Sequence, residues 1–192
     1  MRSRSAPGID RRCLRCYLPE PCLCPEIPAL KPRLELVVVR HMLERKKSTN
    51  SARWAVAALA GAQLHEWGMP EGSPDVGALV VPETWVLYPN GHTTAIPDVL
   101  PRRLIVVDGS WPQARRMLQR ISALRGLPRL SLAPPPVRPR LRSEQLEAGM
   151  TTMEAIAAAY AHLGEPEIAA SLERLYLAAV ARVQKIRGRR TM

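Results

Sequence analysis

Two groups of residues in this sequence have the types and spacing for chemistry. The first is Cys13-x2-Cys16-x5-Cys22-x-Cys24, which holds all 4 of the chain's cysteines in a run made up mostly of Arg, Leu, Pro and Glu. So short a segment, poor in large apolar side chains, is not expected to order itself by burial, whereas four thiolates on one tetrahedral zinc ion would order it. Two disulfides are the alternative. The basic residues before Cys13 lack the apolar stretch of a secretory signal, so the thiols are expected to stay reduced. A four-cysteine shell leaves no open coordination position, which makes the expected role structural. The second group is Asp108-Gly109-Ser110-Trp111. It sets a carboxylate, a hydroxyl and an indole together at the end of an aliphatic run, a candidate catalytic site. The plainer alternative is a strand-to-helix turn with a capping serine and a solvating aspartate.

The elements that must position Asp108 are written on either side of it. Residues 104–107 are a continuous aliphatic run, as expected of a strand buried on both faces, and Asp108 stands at its carboxyl end, where open α/β sheets keep their ligands. Ser110 with Gln113 has capping-box spacing and Pro112 suits a first helical turn. The helix that follows should face the sheet with Ala114, Met117, Leu118, Ile121 and Leu124. Its other face carries Arg115, Arg116, Gln119 and Arg120, a possible track for phosphates or simply a solvated surface.

Upstream, residues 34–39 read as the first strand, ended by Arg40-His41; a structural role is expected for His41. Arg45-Lys46-Lys47 leads into Ser48-Thr49-Asn50-Ser51, a run of N-cap formers. The expected helix presents Trp54, Val56, Leu59, Ala60, Leu64 and Trp67 on one broad apolar face. Arg45 and Lys47 at its mouth could attract a phosphate or could be solvated. A strand is expected at 77–81, a short strand or extended segment at 85–88 before an Asn90-Gly91 turn, and a last short strand at 130–132. Pro134-Pro135-Pro136 is too stiff for a helix or sheet interior. With Arg138, Arg140 and Arg142 it makes a basic, extended loop suited to an RNA backbone. Thr151 and Glu154 form a second capping box, opening a helix with Ile156, Tyr160 and Leu163 on one side. A final helix turns Ile168, Leu172, Leu175, Ala179, Val183 and Ile186 inward and ends in Arg182, Lys185, Arg187, Arg189 and Arg190.

At 192 residues and 46% hydrophobic, the chain can bury one sizeable core. The expected partition is a cysteine module over 1–30 and a main domain over 31–192. Strands alternating with amphipathic helices imply an α/β fold with a mostly parallel sheet and flanking helices. No apolar run approaches the roughly 20 residues that cross a bilayer, so no membrane association and a cytoplasmic location are expected. Lysine and arginine number 28 against 17 acids, a net charge of +11, which favours a polyanionic partner.

Asp108-Gly109-Ser110-Trp111 followed by Gln113-Ala114 resembles the Asp-x-Thr-Trp signature of the DTW-domain family of tRNA-uridine aminocarboxypropyltransferases. The likeness takes in the early cysteines, Thr49-Asn50-Ser51, Leu87-Tyr88-Pro89 and Thr151-Thr152-Met153-Glu154-Ala155. Ser110 stands where the family has threonine, keeping the hydroxyl and losing a methyl. The resemblance implies a SPOUT-like topology with a C-terminal trefoil knot. It also implies transfer of the 3-amino-3-carboxypropyl group of S-adenosylmethionine to N3 of a tRNA uridine, with Asp108 as base, Ser110 orienting and Trp111 stacking. Tyr88, Pro89, Val107, Gly109, Leu130, Thr151, Thr152 and Glu154 are then expected around the co-substrate. Arg45, Lys47, Arg115, Arg116, Arg138, Arg140 and Arg142 are expected on tRNA. A SPOUT-class RNA methyltransferase and a non-enzymatic zinc-module RNA-binding protein are the alternatives. A monomer is compatible with the sequence, which leaves the oligomeric state open.

Overall fold

The computed structural model describes residues 12–20, 22–89, 94–133 and 150–188. Its centre is a sheet of five strands: β1 (Glu35–His41), β2 (Gln63–Trp67), β3 (Thr84–Leu87), β4 (Arg103–Asp108) and β5 (Arg129–Leu130), in the order β2-β1-β4-β3-β5. Every pairing is parallel. Between the strands and after them lie α1 (Ala52–Ala58), α2 (Trp111–Arg120), α3 (Ser122–Arg125), α4 (Thr152–His162) and α5 (Pro166–Gly188).

Strand alternation divides the interior. Leu36, Val38, Leu104 and Val106 join Trp54, Met153, Ile156, Tyr160 and Tyr176 in one core, beneath α1, α4 and α5. Val37, Val39, Val86, Ile105 and Val107 face the other way, against Met117, Leu118 and Leu124 of α2 and α3. With both faces covered, the strands carry uninterrupted aliphatic runs. The chain leaves β1 toward one edge of the sheet and leaves β4 toward the other, so β1 and β4 flank a topological switch point. Ligands in open parallel sheets gather at the carboxyl ends of such strands.

The helix expected to run from Trp111 through Leu124 is interrupted at Ile121, whose extended backbone separates α2 from α3, although the expected apolar residues are buried. Two further expectations about elements fail. The helix after Ser51 ends at Ala58, and Leu64 and Trp67 belong to β2. Leu59 is extended and bridges to Leu30, and Gly61 at φ 76° turns the chain, so the apolar spacing spans two elements. Residues 77–81 form no strand. The Asp75 carboxylate accepts the Gly77 N–H at 2.9 Å and winds Gly77–Leu79 into a 3-10 turn just before Pro82.

The cysteine segment also departs from expectation in burying apolar groups. Leu18 and Leu23 lie in the same core as α1, α4 and α5, and Trp54 donates its indole N–H to the Cys16 carbonyl at 2.8 Å. Arg182 of α5 reaches the Cys22 carbonyl and the Glu26 carboxylate.

Candidate functional site

The register of the three strands β2, β1 and β4 sets Glu66, Arg40 and Asp108 in one row at the carboxyl end of the sheet. Their side chains share the face turned to α1 and α4. Glu66 pairs with the Arg40 guanidinium, with one contact at 3.2 Å. Arg40 Nη1 donates to Asn50 Oδ1 at 3.1 Å, which fixes the Asn50 amide so that its Nδ2 donates to Asp108 Oδ2, at 2.5 Å. On the other side Thr152 Oγ1 donates to Asp108 Oδ1 at 2.6 Å.

Asp108 is only 4% exposed, and its pKa is raised by burial, against which the Thr152 and Asn50 hydrogen bonds act. Nearby Glu44 raises it further and Arg40 lowers it. A carboxylate has about four acceptor positions, so the two bonds leave room for one more donor. The arrangement can therefore accept a proton from a ligand N–H while holding the carboxylate in one orientation.

Asn50, Arg40 and Glu66 were not among the residues expected here. Asn50 was legible as part of Thr49-Asn50-Ser51, and Arg40 as the charge that ends a run of valines. Of the expected cap formers before α1, Asn50 accepts from Arg53 N at 3.3 Å, and Ser51 Oγ instead accepts from Met153 N at 3.2 Å. That second bond ties the start of α1 to the start of α4.

Around this row stand the other expected residues. Gly109 follows Asp108 in a crowded turn. A Cβ there would lie 3.0 Å from Gln113 Cβ and 3.5 Å from His41 Cβ. The expected capping box forms, with Ser110 N–H donating to Gln113 Oε1 at 2.7 Å. Trp111 is 48% exposed and meets Tyr88 edge-on, with ring centroids 6.3 Å apart. Arg129 lies 6.0 Å from the Tyr88 ring. Tyr88, Trp111 and Arg129 thus form a partly open, aromatic and cationic ledge on the α2 side of the sheet, with Pro89 exposed next to it.

Val107 and Leu130 are packed into the two cores. At the mouth of α4, Thr151 and Glu154 hold each other: Thr151 N and Oγ1 each donate to the Glu154 carboxylate at 2.8 Å. These groups and the Thr152 hydroxyl are therefore engaged with protein carboxylates.

His41 caps the turn after β1 through Nδ1, which accepts from Leu43 N at 3.2 Å, and its ring lies 5.8 Å from that of Trp67. Its pKa is lowered, mainly by burial. Lys47 is paired with buried Glu44 at 2.5 Å, whereas Arg45, Arg115 and Arg116 are exposed. Arg138, Arg140 and Arg142, the proline run and the Asn90-Gly91 turn lie outside the described residues.

The four cysteines converge. Their sulfurs lie within 4.8 Å of one another, with Cys13 and Cys24 at 3.4 Å and Cys16 and Cys22 at 3.5 Å. Those separations far exceed a disulfide's roughly 2.05 Å. They approach the ~3.8 Å edge of a tetrahedron with Zn–S bonds of about 2.3 Å. The Cys16 backbone amide, foremost, pulls the Cys13 thiol down to about 6, whereas burial, foremost, pushes Cys24 up to about 12. The donor set, its spacing and its softness fit a divalent metal ion whose charge would stabilise all four thiolates.

The fold and this geometry define an α/β protein with a polar site at the carboxyl ends of a parallel sheet and a four-cysteine cluster able to hold a metal ion. The chain belongs to the DTW domain family, whose model matches residues 10–184. A tRNA-uridine aminocarboxypropyltransferase 2 of Drosophila melanogaster is 25% identical over 187 residues, covering 90% of this chain and 74% of the fly protein. A protein of the same name from Macaca fascicularis is 26% identical over 127 residues, covering 59% of this chain but only 43% of the macaque protein. No solved structure matches the chain. Among the described residues no helix is long and apolar enough to cross a membrane.

Proposed function

We propose that this protein transfers the 3-amino-3-carboxypropyl group of S-adenosylmethionine to N3 of a tRNA uridine and releases 5′-methylthioadenosine. Family membership and the relatives' names supply the reaction class. The observation that carries the residue roles is the doubly hydrogen-bonded Asp108 at the end of β4, three residues before the exposed Trp111 that meets Tyr88.

In this reading Asp108 takes the N3 proton as the new N–C bond forms and the bond from sulfur to the carboxypropyl carbon breaks. The sulfonium co-substrate supplies its own leaving group, so the protein's task is alignment and desolvation. Burial raises the Asp108 pKa and so makes it a better proton acceptor than a solvated aspartate, while Asn50 and Thr152 keep its orientation. Trp111 offers a face for the uracil or the adenine. Tyr88, Pro89 and the Gly109 backbone would border the co-substrate. The α4 mouth is already occupied by Glu154 and Asp108, which favours Arg129 for the co-substrate's carboxylate.

The near-complete burial of Asp108 favours one second reading, in which it chiefly holds Asn50 and Thr152 in place and another group receives the proton. The zinc assignment of the cysteine cluster, with residues 1–30 as a module set on a 31–192 catalytic domain, belongs to the same proposal. So does a SPOUT-like knot. The parallel sheet and the seating of Thr152 under β4 are compatible with it.

The test is incubation with tRNA and S-adenosylmethionine labelled in the carboxypropyl chain. Label should enter RNA with release of 5′-methylthioadenosine. Methylated RNA with S-adenosylhomocysteine would make the protein a methyltransferase, and tight tRNA binding without transfer would make it a binding module.

A further inference from the structure

The cysteine segment and the chain after β1 build one cationic surface that the site itself does not use. Arg12 Nη1 donates to the Lys46 carbonyl at 3.1 Å, and Arg53 Nη2 donates to the Arg45 carbonyl at 2.5 Å. Both guanidiniums lie over the Tyr17 ring, at 5.1 Å and 4.2 Å from its centroid. Arg15 Nη2 reaches the Ala57 carbonyl at 3.3 Å, one helical turn beyond Arg53 on the same side of α1. Arg12, Arg15, Arg45, Lys46 and Arg53 thus form a continuous band across the cysteine module, the post-β1 turn and α1.

How these charges are held matters more than their number. Arg12, Arg15 and Arg53 are anchored by carbonyl oxygens and an aromatic ring, Arg45 and Lys46 are exposed, and among the described residues no carboxylate forms an ion pair with any of the five. The contrast with Lys47, next to Lys46 but neutralised by buried Glu44, is direct. Arg53 Nη1 is buried without a hydrogen-bond partner. Carbonyl and ring contacts fix a guanidinium in space and leave its net charge uncompensated, the condition in which a phosphate gains most from binding. The band also begins beside the site: Arg53 N bonds to Asn50 Oδ1, and Asn50 Nδ2 bonds to Asp108. A polyanion that presents one base to Asp108 would have its backbone pass over this band.

We propose that the Arg12–Arg15–Arg45–Lys46–Arg53 band is the surface on which the tRNA backbone docks while its uridine enters the site, which makes the cysteine module part of the RNA interface. The inference rests on the proposed tRNA substrate.

The test is a full-length triple variant, Arg12→Gln, Arg15→Gln, Lys46→Gln, compared with wild type and with Arg174→Gln on the exposed side of α5. Binding of fluorescently labelled tRNA is followed by anisotropy across a potassium chloride series. Losing two to three phosphate contacts should lower the slope of log K against log salt by about 2–3 and weaken binding more than about 10-fold at low salt. kcat/KM for tRNA should fall by the same factor, and the control should match wild type. An unchanged slope and affinity, with unchanged thermal unfolding, overturns the proposal. So does equal loss of tRNA binding in the Arg174→Gln control, or binding to vesicles containing phosphatidylglycerol with none to tRNA. If wild type binds tRNA without transferring the group and the triple variant still loses binding, the docking surface stands and the transferase reading falls.

Discussion

Asp108→Asn separates chemistry from folding because the surrounding network can accept the change. Arg40 pins Asn50 so that it presents its Nδ2 to residue 108. An asparagine there must therefore turn its oxygen to Asn50 and its amide to Thr152, whose hydroxyl can accept as readily as donate. Each wild-type hydrogen bond has a counterpart in the variant, so the structural cost at neutral pH should stay within about 1 kcal/mol. The sign of the pH dependence follows from the raised pKa of Asp108. A carboxyl whose pKa is higher in the fold binds its proton more tightly there. It contributes stability that is fully present below the unfolded value of about 3.9 and is lost as pH rises through the folded pKa. Asparagine does not titrate, so the variant should gain on wild type as pH rises above about 4 in urea unfolding. Transfer should behave oppositely, falling by at least about 10²-fold, roughly 2.7 kcal/mol or more of lost transition-state stabilisation. Single-turnover rates on tRNA measure the chemistry, and calorimetry measures S-adenosylmethionine affinity. Transfer at the wild-type rate would remove Asp108 from the reaction. A loss of co-substrate affinity matching the loss of rate would make it a ligand and not a base.

The other expectations follow from neighbouring groups. Asn50→Ala removes the bond to Asp108 and a partner of buried Arg40, and should cost about 2–4 kcal/mol in denaturant unfolding, with the acid limb of the transfer pH profile moved upward because a bond that lowers the Asp108 pKa is gone. A profile that does not move would show that Asn50 does not set the protonation of Asp108. Gly109→Val should fail where Ser110→Thr is tolerated, since any Cβ at 109 sits 3.0 Å from Gln113 Cβ; thermal unfolding of the two variants decides it. Purified protein should carry one zinc per chain. Removing it with a chelator should lower the unfolding temperature and disturb the fluorescence of Trp54, whose indole is bonded to the Cys16 carbonyl. Elemental analysis without zinc would refute the assignment.

Much of the local structure around Asp108 could be read along the chain. An aliphatic run, a carboxylate, a serine three residues before a glutamine and an arginine-faced helix give β4, the turn and α2 almost residue by residue. The Thr151–Glu154 box and α4 are similarly plain, because capping is decided over four residues. Pairings across the chain could not be read in this way. Leu64 and Trp67 keep step with a helix beginning near Ser51, and only the bend at Gly61 and pairing with β1 make them a strand. The row Glu66–Arg40–Asp108 depends on the register of three strands, which spacing alone does not specify. The burial of Leu18 and Leu23 depends on α1, α4 and α5 coming together over the cysteine loop.

That dependence bears on why the site is built as it is. Asp108 receives its two hydrogen bonds from Asn50, 58 residues earlier, and Thr152, 44 residues later. Ser51 in turn receives the Met153 N–H, so the start of α1 and the start of α4 are joined to each other as well as to β4. A buried carboxylate without these donors would be costly and would protonate instead of serving as a base. The oriented carboxylate can therefore exist only once β4, α1 and α4 have all docked, and α1 is itself only seven residues long. A helix that short has little stability of its own. Its position rests on packing, through Trp54 against the cysteine segment on one side and Ala52, Ala55 and Ala58 in the main core on the other. The cysteine cluster is thus linked to Asp108 through α1, by Trp54 within the helix and Asn50 just before its start. A zinc-ordered loop would serve the site by fixing the one element too short to hold itself.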